Sequence, residues 1–131
     1  MTAFSDYLET ELLNHVLRNA AYTQPATVYV GLATSSFADD NSGTGEISTT
    51  GTAYARQAAT FAAAASGSCS TSATITWPTA TANWGVITHF GIFDASTAGR
   101  LLYHGALTAS KTINSGDTFE ITSGNLTISH D

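Results

Sequence analysis

Positively charged side chains are scarce in this sequence. Its 131 residues include four lysines and arginines against ten aspartates and glutamates, which gives a formal net charge of −6. The four cations, Arg18, Arg56, Arg100 and Lys111, are scattered along the chain. A nucleic-acid surface needs clustered cations that displace counterions from phosphates, and an anionic membrane surface also attracts clustered cations. The sequence therefore predicts no nucleic-acid partner and no membrane partner.

Cysteine occurs once, at Cys69, so no disulfide bond can form within the chain. Its neighbours in sequence are small and polar, and no histidine or lysine lies among them to favour the reactive thiolate. We therefore expect Cys69 to be an unreactive side chain in a loop-like segment.

Long apolar runs are also missing. None approaches the ~20 residues that a membrane-spanning helix requires. Met1-Thr2-Ala3 is followed directly by charged, helix-like sequence, without the basic and apolar regions of a signal peptide. We therefore expect a soluble chain that is made in the cytoplasm.

The length and the apolar content predict one domain, covering residues 1–131. Apolar residues make up 43% of the sequence, enough to form one core, and the chain is too short for two independent cores. Serine and threonine are abundant while lysine and glutamate are few, a composition that suits β-strands better than exposed helices.

Residues 4–19 are the one segment with the pattern of an amphipathic helix. Either Ser5 or Asp6 can cap its start, and Arg18 near its end complements the helix dipole. Its apolar residues recur every four positions, at Phe4, Leu8, Leu12 and Val16, with Leu13 and Leu17 widening the stripe. This apolar face must pack on the protein's own sheet or on a neighbouring subunit, which makes Phe4, Leu8, Leu12 and Val16 the candidate interface.

After Pro25 the apolar residues alternate with a period of two, as in β-strands. Predicted strands cover residues 26–34, 54–65, 73–77, 86–93, 100–107, 118–122 and 125–129. The alanine-rich end of the second segment, residues 59–65, could also form a helix. Residues 35–52 form a long polar loop, which suits contacts with a partner. About seven short strands predict a mainly β fold, a compact antiparallel β-sandwich or barrel with one N-terminal amphipathic helix.

Two of the four histidines fall on a predicted hairpin. If Phe93 pairs with Arg100, His89 lies directly opposite His104, with Cβ atoms about 5 Å apart. A zinc site needs three or four ligands, and the sequence places no cysteine or carboxylate to complete one. We interpret His89 and His104 as a polar cross-strand pair and predict no metal site.

Catalytic patterns are missing as well. Asp94 and Asp117 each follow a strand or a turn, where an aspartate accepts backbone hydrogen bonds. No serine lies in a Gly-x-Ser-x-Gly motif. Residues 39–41, Asp-Asp-Asn, lack the alternating spacing and the closing glutamate of a calcium loop. The sequence therefore predicts a protein that is not an enzyme and that carries no cofactor.

The aromatic residues leave one further possibility open. Trp77, Trp84, Phe90, Phe93 and Tyr103 fall close together in the second half of the chain. Most should lie in the core of a small β-domain. If some were exposed, they could stack on a host glycan.

Several separated segments resemble short bacteriophage proteins that are labelled tail fibre proteins. The resemblance covers nearly the whole chain. The segments that carry it are Phe4-Ser-Asp-Tyr-Leu-Glu, Thr27-Val-Tyr-Val-Gly-Leu, Tyr54-Ala-Arg-Gln-Ala, Trp84-Gly-Val-Ile-Thr-His-Phe-Gly-Ile-Phe-Asp94, Leu101-Leu-Tyr-His-Gly-Ala-Leu107 and Thr112-Ile-Asn-Ser-Gly-Asp-Thr118.

This resemblance implies a structural protein of the virion, made in the cytoplasm of the bacterial host. A fibre shaft needs length from repeats or a coiled coil, and this sequence has neither. We therefore expect first a capsid decoration (cement) protein that binds the assembled lattice of the major capsid protein. The alternative is a tail fibre or tail-tip module that contributes to host attachment. Either role involves contacts with other virion proteins and with copies of itself, for which we expect a homotrimer.

Overall fold

The computed structural model describes residues 2–42 and 45–130 and contains one helix among nine short strands in that range. In chain order the elements are β1 (Thr2–Phe4), α1 (Asp6–Leu17), β2 (Val28–Ala33), β3 (Gln57–Ala59), β4 (Ser68–Ser70), β5 (Ile75–Thr76), β6 (Gly85–Phe93), β7 (Leu101–Ile113), β8 (Glu120–Ile121) and β9 (Thr127–Ser129). The helix is too short and too polar to cross a membrane, and the described residues contain no other.

The strands form two layers. The larger is a five-stranded antiparallel sheet in the order β1-β7-β6-β2-β3. The smaller consists of two two-stranded sheets, β4 with β9 and β5 with β8. β1 and β3 lie at the two edges of the large sheet, so that sheet does not close on itself. The predicted mainly β, antiparallel fold with one N-terminal helix is confirmed, and of the two predicted architectures the layers favour a sandwich over a barrel.

The main core lies between these layers. Alternate residues of β2 point into it because side chains on a strand alternate between its two faces. The large sheet contributes Val30, Leu32, Ile87, Phe90, Ile92 and Ile113, and the other layer contributes Ile75, Trp77, Phe119, Ile121, Leu126 and Ile128. A smaller cluster on the opposite face of the large sheet contains Ala33, Phe37, Phe93 and Leu101.

The hairpin of β6 and β7 has a different register from the one predicted. Phe93 pairs with Leu101 rather than with Arg100. The register shifts again between Phe93 and Ile92, which pairs with Tyr103. A larger bulge interrupts the hairpin in the middle, where four residues of β7, 107–110, lie opposite Thr88 alone. Bulges of this kind twist a strand and make its edge a poor template for another strand. Turn chemistry predicted the hairpin, but it did not predict the bulges that set its register.

Several predicted strands are shorter than expected. Of residues 54–65 only Gln57–Ala59 is a strand, and the alternative helix over 59–65 does not form. Ser68–Ser70, in the segment predicted to be a loop, pairs with β9 instead. On the predicted strand 73–77, Ile75 and Trp77 are buried as expected, whereas Ala73 is exposed.

The polar loop over residues 35–52 contains no named strand or helix in the part that the structure describes. It is nevertheless anchored, because Phe37 and Ile47 are buried and Glu46 forms an isolated bridge with Ala33. The tip of this loop, residues 43–44, lies outside the described residues. Its role in partner contacts stays a prediction.

The helix begins later than residue 4 because Thr2–Phe4 forms a strand instead. It also ends earlier than residue 19, at Leu17. Of the two predicted caps, Ser5 is the one that acts: its Oγ accepts a hydrogen bond from the Leu8 amide and donates one to the Leu101 carbonyl. Ser5 is fully buried, so it fixes the start of the helix against β7.

Replacement of Ser5 by alanine tests this cap. We expect Ser5→Ala to lower the free energy of unfolding by about 1–2 kcal/mol, because a helix amide and a strand carbonyl both lose a partner. Urea denaturation followed by tryptophan fluorescence measures the change. Asp6→Ala is the control, and we expect it to cost less than about 0.5 kcal/mol because Asp6 is exposed. Equal losses in the two variants would show that Ser5 is not the effective cap.

Candidate interaction surface

The apolar face of α1 divides into a buried half and an exposed half. Leu8 is only 3% exposed and packs into the protein, whereas Val16 is 73% exposed. Leu13 and Leu17 are also exposed, at 59% and 74%, and Leu12 is half-buried. The predicted interface of Phe4, Leu8, Leu12 and Val16 is therefore not one surface, because Leu8 belongs to the interior. We call the part of this face that is not buried, Leu12, Leu13, Val16 and Leu17, the helix ridge.

A shallow groove runs beside the helix ridge. It encloses about 370 Å³, and the ridge residues line it together with Phe4 and Glu9. Glu9 is the only charged residue in that lining. Phe4 lies in β1, where it pairs with Tyr103 of β7, so the strand pairing fixes its position relative to the ridge.

An apolar crevice of about 330 Å³ opens between the large sheet and the β4–β9 sheet. Its lining contains no lysine, arginine, aspartate or glutamate. We call it the crevice. Its walls are formed by Val28, Phe61, Ala64, Gly67, Ser68, Cys69, Ile92, Leu102, Tyr103, Ile128 and His130.

Three aromatic side chains connect the helix ridge with the crevice. The Phe4 ring packs edge-on against Tyr103 and against His130, with centroids 5.3 and 4.4 Å away. Tyr103 Oη and His130 Nε2 share a hydrogen bond of 2.7 Å. Because Phe4 lines the groove while Tyr103 and His130 line the crevice, the two apolar features lie side by side. The sequence indicated the ridge through its helical spacing, but no local pattern signals the crevice.

The histidines of the hairpin are not directly opposite each other. β6 and β7 pair His89 with Ala106 and His104 with Gly91, so the predicted register was wrong by two positions. An even shift keeps both imidazoles on the same face of the sheet, as diagonal neighbours. Each has a partner of its own: His89 Nδ1 lies 2.7 Å from Thr88 Oγ1, and His104 Nε2 hydrogen bonds to the Asp39 carboxylate.

A largely buried ion pair, which was not predicted from the sequence, connects the long loop with the hairpin turn. Nε and Nη2 of Arg56 donate to the two carboxylate oxygens of Glu46, each at 2.8 Å. Nη1 of Arg56 donates to the carbonyls of Ala95 and Ala98, and its guanidinium carbon lies 3.4 Å from the centroid of the Phe93 ring. One sequence signal was available: Arg56 is the only Lys, Arg, Asp or Glu between positions 46 and 94.

Tyr54 extends this network into the sheet. Its hydroxyl donates to Glu46 Oε2 and accepts the backbone amide hydrogen of Leu32. Burial raises the pKa of the Tyr54 phenol well above its ordinary value, and the neighbouring Glu46 carboxylate raises it further. The phenol therefore stays protonated and holds the loop residue Glu46 against β2.

This shift predicts a loss of stability at high pH. The pKa of Tyr54 is higher in the folded chain than in the unfolded one, so its contribution is complete below about pH 10 and is lost as the pH rises further. We expect the urea midpoint to fall above about pH 10, and to fall less steeply in Tyr54→Phe. The remaining slope should come from Tyr22 and Tyr103, whose pKa values burial also raises. The same steepness in both proteins would contradict the assignment to Tyr54.

The side chains that were considered as catalytic or reactive groups, Asp94, Asp117 and Cys69, form hydrogen bonds with the backbone. Asp94 Oδ1 accepts the amide of Arg100 at 2.7 Å, and Asp117 Oδ2 accepts the amide of Asn114 at 2.9 Å. Cys69 Sγ hydrogen bonds to a backbone carbonyl. Over the described ranges, 2–42 and 45–130, no three histidine, cysteine, aspartate or glutamate side chains are grouped so that they could hold a metal ion.

Both tryptophans lie in the core, at 1% and 5% exposure for Trp77 and Trp84. Trp77 packs edge-on against Phe119 and Trp84 against Tyr54. Neither indole therefore offers a flat face on which a sugar could stack.

Comparison with known proteins supplies the family. No curated protein matches the chain. The family model described as Podophage GP4 fiber I protein gp80 matches residues 3–129, which is nearly all of the sequence. The resemblance to phage tail fibre proteins is thereby confirmed. The chain belongs to the Podophage GP4 fiber I protein gp80 family and is a structural protein of a bacteriophage fibre.

Proposed function

We propose that this chain is a non-enzymatic module of a phage tail fibre and that it works by binding other virion proteins and copies of itself. The observation that carries the proposal is the family match over residues 3–129. It favours the tail, which was the alternative expectation, over decoration of the capsid lattice. A short sandwich without sequence repeats suits an adaptor or a tip of a fibre better than its shaft.

The side chains support a binding role without catalysis. Acid–base chemistry needs carboxylates in a cleft with neighbours that separate their pKa values. Asp94 and Asp117 instead hold the backbone of two turns. The exposed apolar surface, in contrast, is concentrated in the helix ridge and the adjoining crevice. Apolar surface of this kind is typical of protein contacts.

The copy number of this protein per virion tests the proposal. We would quantify it in purified particles by mass spectrometry against the major capsid protein, and locate it with gold-labelled antibodies. Few copies, with label at the tail, are the expected result. Copies on the scale of the capsid protein, with label over the head, would instead establish capsid decoration. Absence from the particle would contradict both roles.

A further inference from the structure

We propose that the ion pair between His104 and Asp39 is a pH-sensitive switch, which fastens part of the long loop across the large sheet while the imidazole is protonated. The fastened segment is residues 37–41, and we call it the strap. This switch belongs to the fold itself, so it goes beyond the proposed role in the fibre and does not depend on it.

The strap contacts three separate elements. Phe37, at its start, is only 3% exposed and packs on β6. The backbone carbonyl of Asp39 accepts the amide hydrogen of Asp6 at the start of α1, at 3.1 Å. Asn41, at the end of the strap, donates from Nδ2 to the carbonyl of Gly99 in the hairpin turn, at 3.3 Å. The strap therefore connects the helix, the sheet and the turn.

A charged contact fastens the middle of the strap to β7. The carboxylate of Asp39 can only accept a hydrogen bond, so Nε2 of His104 is the donor. The His104 side chain is 14% exposed, whereas that of Asp39 is 56% exposed. A second proton on the imidazole adds charge attraction to this hydrogen bond, and a hydrogen bond between charged groups is stronger than a neutral one.

The other three contacts do not respond to pH. The buried ring of Phe37, the backbone carbonyl of Asp39 and the side-chain amide of Asn41 carry no ionisable group. They hold the strap at any pH, and the ion pair adds to them only while both of its side chains are charged. The switch therefore changes how often the strap opens, without unfolding the protein.

The sign of the pH effect follows from the charges of the pair. Histidine ordinarily changes its charge between about pH 5 and pH 8. As the pH rises through this range, the imidazole of His104 loses its positive charge and only a weaker hydrogen bond to Asp39 remains. The strap then opens more often. At strongly acid pH the Asp39 carboxylate takes up a proton, and the charge attraction is lost again.

Other ionisable groups lie on the elements around His104. They are His89 on β6, Asp40 in the strap, Asp94 and Arg100 at the hairpin turn, and Asp6, Tyr7, Glu9, Glu11 and His15 on α1. An experiment must therefore separate His104 from the other histidines, and Asp39 from the other carboxylates.

Hydrogen exchange of the Asp6 amide measures the opening of the strap. This amide donates to the carbonyl of Asp39, so it is protected while the strap lies on the start of the helix. Its protection factor, which is corrected for the intrinsic effect of pH on exchange, should fall about three- to fivefold from pH 6 to pH 8, as expected for an ion pair with one exposed partner. The amide of Trp77, which donates to Phe119, should keep its protection.

Three variants assign the change to the ion pair. His104→Gln keeps a donor that cannot gain a charge, and Asp39→Asn keeps an acceptor without a charge. In both, the protection of the Asp6 amide should be low and the same at pH 6 and pH 8. Asp40→Asn is the matched control: it removes the neighbouring carboxylate, which hydrogen bonds to Ser42, and should keep the pH dependence of the wild type. Tryptophan fluorescence shows whether each variant is folded.

Equal protection at pH 6 and pH 8 in the wild type would overturn the switch. A pH dependence that persists in Asp39→Asn, whose exposed position makes misfolding unexpected, would also overturn it. Loss of the pH dependence in Asp40→Asn would assign it to the general charge of the loop instead of to the pair. None of these results bears on the location of the chain in the virion, which the copy number and the antibody label test separately.

Discussion

Replacement of Arg56 by alanine should lower the free energy of unfolding by about 3–5 kcal/mol, the cost of breaking a buried ion pair from one side. The variant leaves the carboxylate of Glu46 without its guanidinium in a site where both side chains are less than a fifth exposed. It also removes the donors to the carbonyls of Ala95 and Ala98 in the hairpin turn. Urea denaturation at neutral pH, followed by tryptophan fluorescence, measures the loss.

Arg100→Ala is the matched control for this variant. Arg100 is exposed, and its guanidinium carbon lies 4.5 Å from the centroid of the Tyr7 ring. An exposed cation–π contact contributes only about 0.5–1 kcal/mol. Arg56→Lys should restore only part of the free energy of unfolding that Arg56→Ala loses, because an ammonium group cannot bind both carboxylate oxygens in parallel. If Arg56→Ala costs no more than Arg100→Ala, the network does not hold the loop in place.

Phe93→Ala should be comparably destabilising, by about 3–5 kcal/mol, because it leaves a cavity where the structure is closely packed. Phe93 is 1% exposed and packs edge-on against Phe37. Its ring lies over two glycines that pair with each other, Gly91 two residues earlier on β6 and Gly31 on the neighbouring strand β2. A Cβ at either glycine would lie 3.0–3.1 Å from Phe93 Cε2. The ring therefore fits because both positions lack a side chain.

A double-mutant cycle tests that fit. Gly31→Ala alone should cost about 1–3 kcal/mol through overpacking against the ring and the Glu46 carboxylate. Combined with Phe93→Ala it should cost less than the sum of the two, because part of the crowding is gone. The same fluorescence-detected denaturation measures all three variants. Strict additivity would show that the glycine and the ring are independent.

Local patterns predicted the class of the fold. Alternation of apolar residues on β2 follows from the geometry of a strand, and the four-residue spacing on α1 follows from that of a helix. The Asp94–Gly99 turn likewise follows from local turn chemistry. These signals depend on neighbours in sequence, so they can be interpreted without the tertiary structure.

The surface could be predicted only in part. Leu8 and Val16 belong to the same apolar stripe, yet one is buried and the other is exposed. Spacing shows that a residue faces something apolar, but it does not show whether the protein itself supplies that surface. The crevice, likewise, combines residues from five separate parts of the chain, so no stretch of sequence contains it.

The sequence by itself determined that this is a mainly β protein with one N-terminal helix, and its motifs indicated the phage fibre relatives. Tertiary structure decided the register of the hairpin, which moved His89 away from His104. It also decided that Arg56 and Glu46 meet. Bulges and long-range ion pairs depend on how whole layers pack, and that packing energy is shared among residues far apart in sequence.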